Sequence, residues 1–296
     1  MAEHPTNPLD PAALFGHVQD STEFHLPYLH VEIPQPFQLE KPLVEVKTGN
    51  ELIDSTIEPL DFKITKFMVL ELVAAILLIV FFIGLAKALR GGAIPRGKFR
   101  NMLEAMLLFF RDKVARPCIG GHDADRFVPF LWTLFFFVLA LNLFGMIPWM
   151  GSPTGSLATT AALALVTFIT VIAAGMKKLG VIGFWKAQVP HMDLPGPLKI
   201  FLVPMVFVIE LFGLLVKHGV LAVRLLANMM AGHVVLAVIT AFIAASVHTL
   251  WWYAVAPSSL VGAVALSILE LFVAFLQAYI FTFLSALFIG MAVHPH

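Results

Sequence analysis

The chain has 296 residues, 59% of them hydrophobic and 13% charged, with a mean hydropathy of +0.89. A soluble domain carries about 25% charged residues, so these values exclude a soluble globular protein and describe a polytopic membrane protein. The zero formal net charge hides an asymmetry: residues 1–66 hold eleven acids against four bases, whereas residues 87–126 hold nine bases. By the positive-inside rule the second segment is cytoplasmic and the first is outside.

Residues 1–60 are polar and proline-rich, from Pro5 to Pro59, and read as an extracytoplasmic extension with little core of its own. His17, His25 and His30 match no strong zinc spacing; they read as solvated surface histidines, and no metal is expected. The lone Cys118 excludes an intramolecular disulfide. The acidic start, with the first long apolar run only near Phe67, predicts no cleavable signal peptide.

The membrane domain is expected over residues 61–296. Its first span is predicted at 67–88, close to the ~20 residues a bilayer needs. Residues 98–115 differ: Phe99, Met102, Leu103, Met106 and Phe110 recur at helical spacing, and Arg100, Glu104, Arg111, Asp112 and Lys113 fall largely opposite. That pattern predicts an amphipathic helix at the cytoplasmic interface. Residues 127–149 span again. Met150–Ser156 is a base-free turn, as an outside loop should be. Residues 157–176 return, and Lys177 and Lys178 mark the inside.

An apolar stretch of about 50 residues follows, predicted at 198–250. As one helix it would be ~75 Å long, against a ~30 Å hydrocarbon core. Periodicity allows two short helices meeting at Lys217-His218-Gly219, with Arg224 snorkelling from near an interface. It equally allows one long, strongly tilted helix with Arg224 at mid-depth. Trp251-Trp252-Tyr253 reads as an aromatic belt. A second over-long helix is predicted at 258–292, with serine near its cap. The fold class is therefore all-α: membrane-spanning helices, five where the long stretch is one helix, plus one interfacial helix, the last two forming a hairpin.

Arg224 carries the most information. A guanidinium at membrane depth costs roughly 2.5–3.5 kcal/mol on insertion scales and cannot discharge. At about 100° per residue, Asn228 shares its face, and Glu210 lies within about 40° of it. The same face is expected to carry Gly213, Val220, Leu221, Ala227 and Ala231, a smooth surface for a sliding partner. His233 lies about 180° round and points back into the protein. Glu270 and Gln277, seven apart, share a face of the last helix. From Leu225 to the C-terminus Glu270 is the sole charged residue. One permanent cation with three proton-binding groups suits a proton relay through a low-dielectric layer.

The stretch Val223-Arg224-Leu225-Leu226-Ala227-Asn228-Met229-Met230-Ala231-Gly232-His233 resembles subunit a of the F-type ATP synthase. Ile209-Glu210-Leu211, the last helix with Glu270 and Leu276-Gln277-Ala278-Tyr279, and NLFGMIP (Asn142–Pro148) are similar to the same family. The resemblance covers about residues 60–296 and implies the tilted reading of the long helices. It also implies a stator that faces a ring of c subunits and is held by b-type peripheral-stalk subunits in the bilayer. Arg224 then corresponds to the stator arginine and Asn228 to its polar neighbour. Glu210 corresponds to the cytoplasmic-side path, and His233 and Glu270, with Gln277, to the opposite half-channel. In many bacterial relatives that pair is reversed, with the acid on the arginine helix. Gly145 departs from relatives that carry an acid there. The resemblance implies no cofactor and no catalytic site of its own, and the chain has no GxxxxGK[ST] loop for a nucleotide and no sign of nucleic-acid binding. It places the protein in a bacterial inner membrane, N-terminus outside and C-terminus cytoplasmic. The competing class is a secondary transporter or cation channel with an Arg/Glu/His relay, for which internal repeats or paired broken helices are expected and are not found.

Overall fold

The computed structural model describes residues 20–26, 29–35, 64–89, 98–147, 150–189 and 196–295. His17 and most of the proline-rich segment lie outside these residues, as do Pro190, His191, Asp193 and Pro195. Within the extension, β1 (Glu23–Leu26) and β2 (Leu29–Glu32) form an antiparallel hairpin that sets His25 opposite His30. Composition did not announce this hairpin.

The segment around the hairpin is tied to the start of α1 (Lys66–Leu89). A helix start leaves several N–H groups without partners. Here Asp20 Oδ1 accepts the Phe67 N–H at 3.2 Å, and the Ser21 carbonyl accepts the Lys66 N–H at 2.8 Å. The Gln35 side-chain amide pairs both ways with the backbone of Ile64, at 2.9 and 2.8 Å. A distant polar segment thus caps the first membrane helix. Along α1, Phe67, Leu70 and Ala74 are buried, while Leu72, Ile76, Leu77 and Val80 are exposed. One stripe packs inward and the rest suits lipid.

The predicted interfacial helix is not one α-helix. α2 (Lys98–Phe109) runs into a π-helical segment, Phe110–Ala115, and then α3 (Arg116–Ile119). The wider turn accompanies a continuous buried row through Leu103, Phe110, Val114, Ala115 and Ile119. The Trp132 indole N–H donates to the Leu107 carbonyl at 3.1 Å, pinning α2 to the next long helix. α4 (Gly121–Gly145) starts six residues before the predicted span, because its first turns are charged and invisible to hydropathy. α5 (Leu157–Leu179) and the short α6 (Val181–Ala187) follow a 3-10 turn at Pro153–Gly155.

At the basic end, Asp112 and Asp125 pair with Arg116 at 2.9 and 3.3 Å, and Asp123 pairs with Lys178 at 2.6 Å. The Arg111 hydrogen bond holds the Asp112 carboxyl below its ordinary range. Such exposed pairs contribute little; apolar packing of the last helix, Trp252–Val293, against α4, α5 and the long helix Gly196–Ser246 carries the core.

Continuity is the main finding. α7 is a single helix, Gly196–Ser246, of 51 residues, and α8 runs from Trp252 to Val293 with 42. Lys217-His218-Gly219 lies inside α7 without a break. A helix of ~75 Å fits a ~30 Å hydrocarbon layer only if strongly inclined. α8 begins six residues before its predicted start. Ser258 is not its cap: the hydroxyl donates back to the Ala254 carbonyl at 2.8 Å, because Trp252–Pro257 is already helical. Among the described residues these, with α1, α4 and α5, make five helices long and apolar enough to cross a membrane, and from Lys66 onward every regular element described is helical.

Candidate functional site

Glu210, Lys217 and Arg224 are seven residues apart on α7, so each falls about 20° behind the last along one stripe. Lys217, Val220, Ala227 and Ala231 are exposed on that side; Arg224 and Asn228 are partly exposed. Leu221 does not belong to this face. It is 1% exposed and packs into the core with Leu225 and Met229, since it sits at the edge of the stripe and turns inward.

Arg224 has no ion pair among the described residues, and its Nε and Nη2 are buried without a hydrogen-bond partner. A buried donor left unpaired costs about 1–3 kcal/mol, and more when charged. The guanidinium is held on the smooth side of α7 with its hydrogen-bonding capacity unspent.

His233 faces the other way. Its Nε2 lies 2.8 Å from the Gly145 carbonyl and its Nδ1 2.8 Å from the Met229 carbonyl. Both neighbours only accept. A neutral ring has one N–H and fills one of these contacts; a protonated ring fills both. Glu270 Oε1 lies 3.4 Å from Nδ1, at ion-pair distance, and makes no hydrogen bond. The two side chains are 16% and 10% exposed, so the pair is enclosed across the α7–α8 hairpin.

Glycine makes this approach possible. A Cβ at Gly232 would sit 2.7 Å from Glu270 Oε1, and one at Gly145 would sit 2.6 Å from Ser152 Oγ and 2.8 Å from Met229 Cε. A larger residue at 145, an acid included, has no room beside Ser152. The position instead serves through its carbonyl, which receives His233.

A cavity of about 200 Å³ lies between α7 and α8, bounded by Asn228, Ala231, Gly232, Leu266, Glu270 and Val273. Its lining is mostly apolar, and its polar groups are Asn228 on α7 and Glu270 on α8. The cavity joins the enclosed His233–Glu270 pair to the face that carries Arg224. Gln277 is buried, with its Nε2 unpaired. Seven residues along the antiparallel α8, it lies about 10 Å from the Glu270 level, near the depth of Arg224. Glu210 stands apart, about 21 Å along α7 from Arg224.

Three polar groups in the spans escaped the sequence reading. Asn142, quoted only as part of a motif, is fully buried and donates to the Ala274 carbonyl at 3.2 Å. His218 is 3% exposed between Phe168 and Phe288, its Nδ1 at the Leu214 carbonyl. Glu71 accepts a hydrogen bond from Thr159 Oγ1 at 2.7 Å. The signal for Glu71 was present: it is the one charge inside the apolar run of α1, the feature that exposed Arg224.

The family model described as ATP synthase A chain matches residues 67–290. The ATP synthase subunit a of Myxococcus xanthus (strain DK1622) is 40% identical over 288 residues, 91% of this chain and 92% of that protein. The ATP synthase subunit a of Anaeromyxobacter dehalogenans (strain 2CP-C) is 40% identical over 238 residues, 80% of this chain and 60% of that protein. The chain thus spans nearly all of one relative and under two thirds of the other.

Proposed function

This chain belongs to the ATP synthase A chain family, and from that premise we propose that it is the stator of a proton-driven rotary motor. Arg224 acts on carboxyls carried past it by a ring of small subunits. Each ring carboxyl is protonated while it faces lipid, since an isolated buried charge is too costly. Beside Arg224 the carboxyl ionises and supplies the acceptor that the guanidinium lacks. The observation that carries the reading is this orphaned guanidinium on a small-residue face of a continuous helix.

Two access paths follow from the residues. On the outer side, a proton passes from His233 to Glu270, through the cavity to Asn228, and so to the ring face. His233 can hold the proton because both ring nitrogens meet acceptors, and Glu270 lies within reach of Nδ1. Glu210 marks the cytoplasmic path, displaced along the same stripe. The separation of Glu210 from Asn228, with Arg224 between them, prevents a proton from crossing without rotation. Gln277 supports the ring-facing end of the outer path. The chain itself carries no catalytic centre; torque passes to a separate head, and b-type subunits hold the stator. The membrane is the bacterial inner membrane, with the N-terminus outside and the C-terminus in the cytoplasm.

The test is to reconstitute the complex with Arg224→Ala in vesicles. Assembly with the ring is expected to persist and proton-driven ATP synthesis to vanish. Normal synthesis by the assembled variant would overturn the assignment.

A further inference from the structure

The polar groups at the Lys66 end of the bundle do not stop at His233. The 3-10 turn Pro153–Gly155 touches α1, α4, α5 and α7. It brings in the hydroxyls of Ser152 and Thr154, both fully buried and 3.1 Å apart. Ser152 Oγ lies against Gly145, whose carbonyl receives His233. On the far side of the turn, Thr159 and Thr160 are buried on the first turn of α5. Thr159 is the donor to Glu71. Buried hydroxyls of the turn and of the first turn of α5 thus lie between the His233–Glu270 pair and another carboxyl on α1.

Glu71 is not a lipid-facing accident. It lies on the same side of α1 as the buried Phe67, Leu70 and Ala74, and is itself partly enclosed. It sits five residues into the helix, about 7.5 Å below Lys66. The charged groups around it are few. α1 brings Lys66, and the capping segment brings Asp20. Among the described residues, α4, the 3-10 turn and α5 bring no charged side chain at this end, but polar ones that include Asn142, Ser152, Thr154, Thr159 and Thr160. A hydrogen bond joining two helices needs only a neutral acceptor; a carboxyl at this depth is costly without a further use.

We propose that Glu71 is the outermost proton-binding group of the outer path. Its carboxylate takes a proton from water at the Lys66 end. It releases that proton to water moving past the hydroxyls of the turn towards His233. The proposal rests on the reading of Arg224, His233 and Glu270 given above. A collecting carboxylate matters most when protons are scarce outside, so its loss should be felt at alkaline external pH.

The experiment uses the assembled complex in vesicles, with synthesis rates measured against external pH. Glu71→Gln keeps an acceptor for Thr159 and should assemble. Its rate should fall about tenfold at an external pH of about 8 and much less at about 6, short of the ~10²–10⁴ of a strictly required acid–base group because water shares the path. Glu71→Asp should recover part of the loss. A purely structural Glu71 would leave the pH profile of Glu71→Gln unchanged, and that result overturns the proposal. As a second measurement, Glu71→Cys in a Cys118→Ser background should react with a membrane-impermeant thiol reagent added from the Lys66 side. Failure to react in the assembled complex also overturns it. Arg224→Ala in the same vesicles separates the two failures. If that variant is inactive while Glu71→Gln behaves as wild type, only the Glu71 proposal falls; if Arg224→Ala is active, the underlying reading falls.

Discussion

Arg224 and the His233–Glu270 pair set the strictest demands on individual side chains. The guanidinium carries buried donors with no acceptor among the described residues, so replacement by lysine should rescue poorly. An ammonium is a compact point charge with an adjustable pKa and lacks the planar fork. ATP synthesis by Arg224→Lys is expected to stay near the Arg224→Ala level. His233 and Glu270 are expected to be exchangeable in part, because both lie in one enclosed space at 3.4 Å. Glu270→Leu alone should slow proton pumping strongly by removing the acceptor beside the cavity. His233→Glu combined with Glu270→His should recover part of the rate. A double variant no better than the worse single one would refute a shared path. These two residues were legible as chemistry from the sequence, since each is a rare polar group in an apolar run. Their contact was not, because it depends on the register of two helices. Glu71 shows the reverse: its signal was as plain as that of Arg224, and only the hydrogen bond to Thr159 gave it a place.

For elements, the deciding question was whether α7 breaks at Lys217-His218-Gly219. Glycine interrupts a helix or passes unnoticed according to what packs around it, and local sequence does not distinguish these outcomes. The structure keeps one helix, which sets Arg224, Asn228 and the cavity on one rigid rod. The closeness of the α7–α8 hairpin rests on Gly232. Gly232→Ala should leave the helix intact, since alanine is the better helix former. It should displace the flexible Glu270 carboxyl, which lies 2.7 Å from the new methyl position. Proton pumping is expected to fall several-fold while assembly and thermal stability of the complex are retained. Unchanged pumping would show that the Glu270 position is not critical. The π-helical segment after α2, which follows a buried row, and the early start of α8 likewise escaped periodicity.

Across the whole molecule, the charge asymmetry yields a topology that can be tested. A cysteine at position 30 should be labelled only from outside, and one at position 186 only from the cytoplasm. Burial pushes the Cys118 thiol up, which keeps it protonated and weakly reactive, so its background should be low. Labelling of position 30 only from the cytoplasm would reverse the orientation. By itself the sequence determined the membrane class, the helical character of the spans and the identity of Arg224, Asn228, Glu210, His233, Glu270 and Gln277 as candidates. These follow from free energies of transfer, which depend on each residue and its near neighbours. Tertiary structure alone decided the inward turn of Leu221, the capping of α1 by Asp20 and Ser21, the carbonyl of Gly145 beneath His233, the cavity between Asn228 and Glu270, and the link from Thr159 to Glu71. Each joins groups far apart in the chain or depends on how helices pack against one another, and such contacts are fixed by the packing of whole helices, which no local pattern encodes.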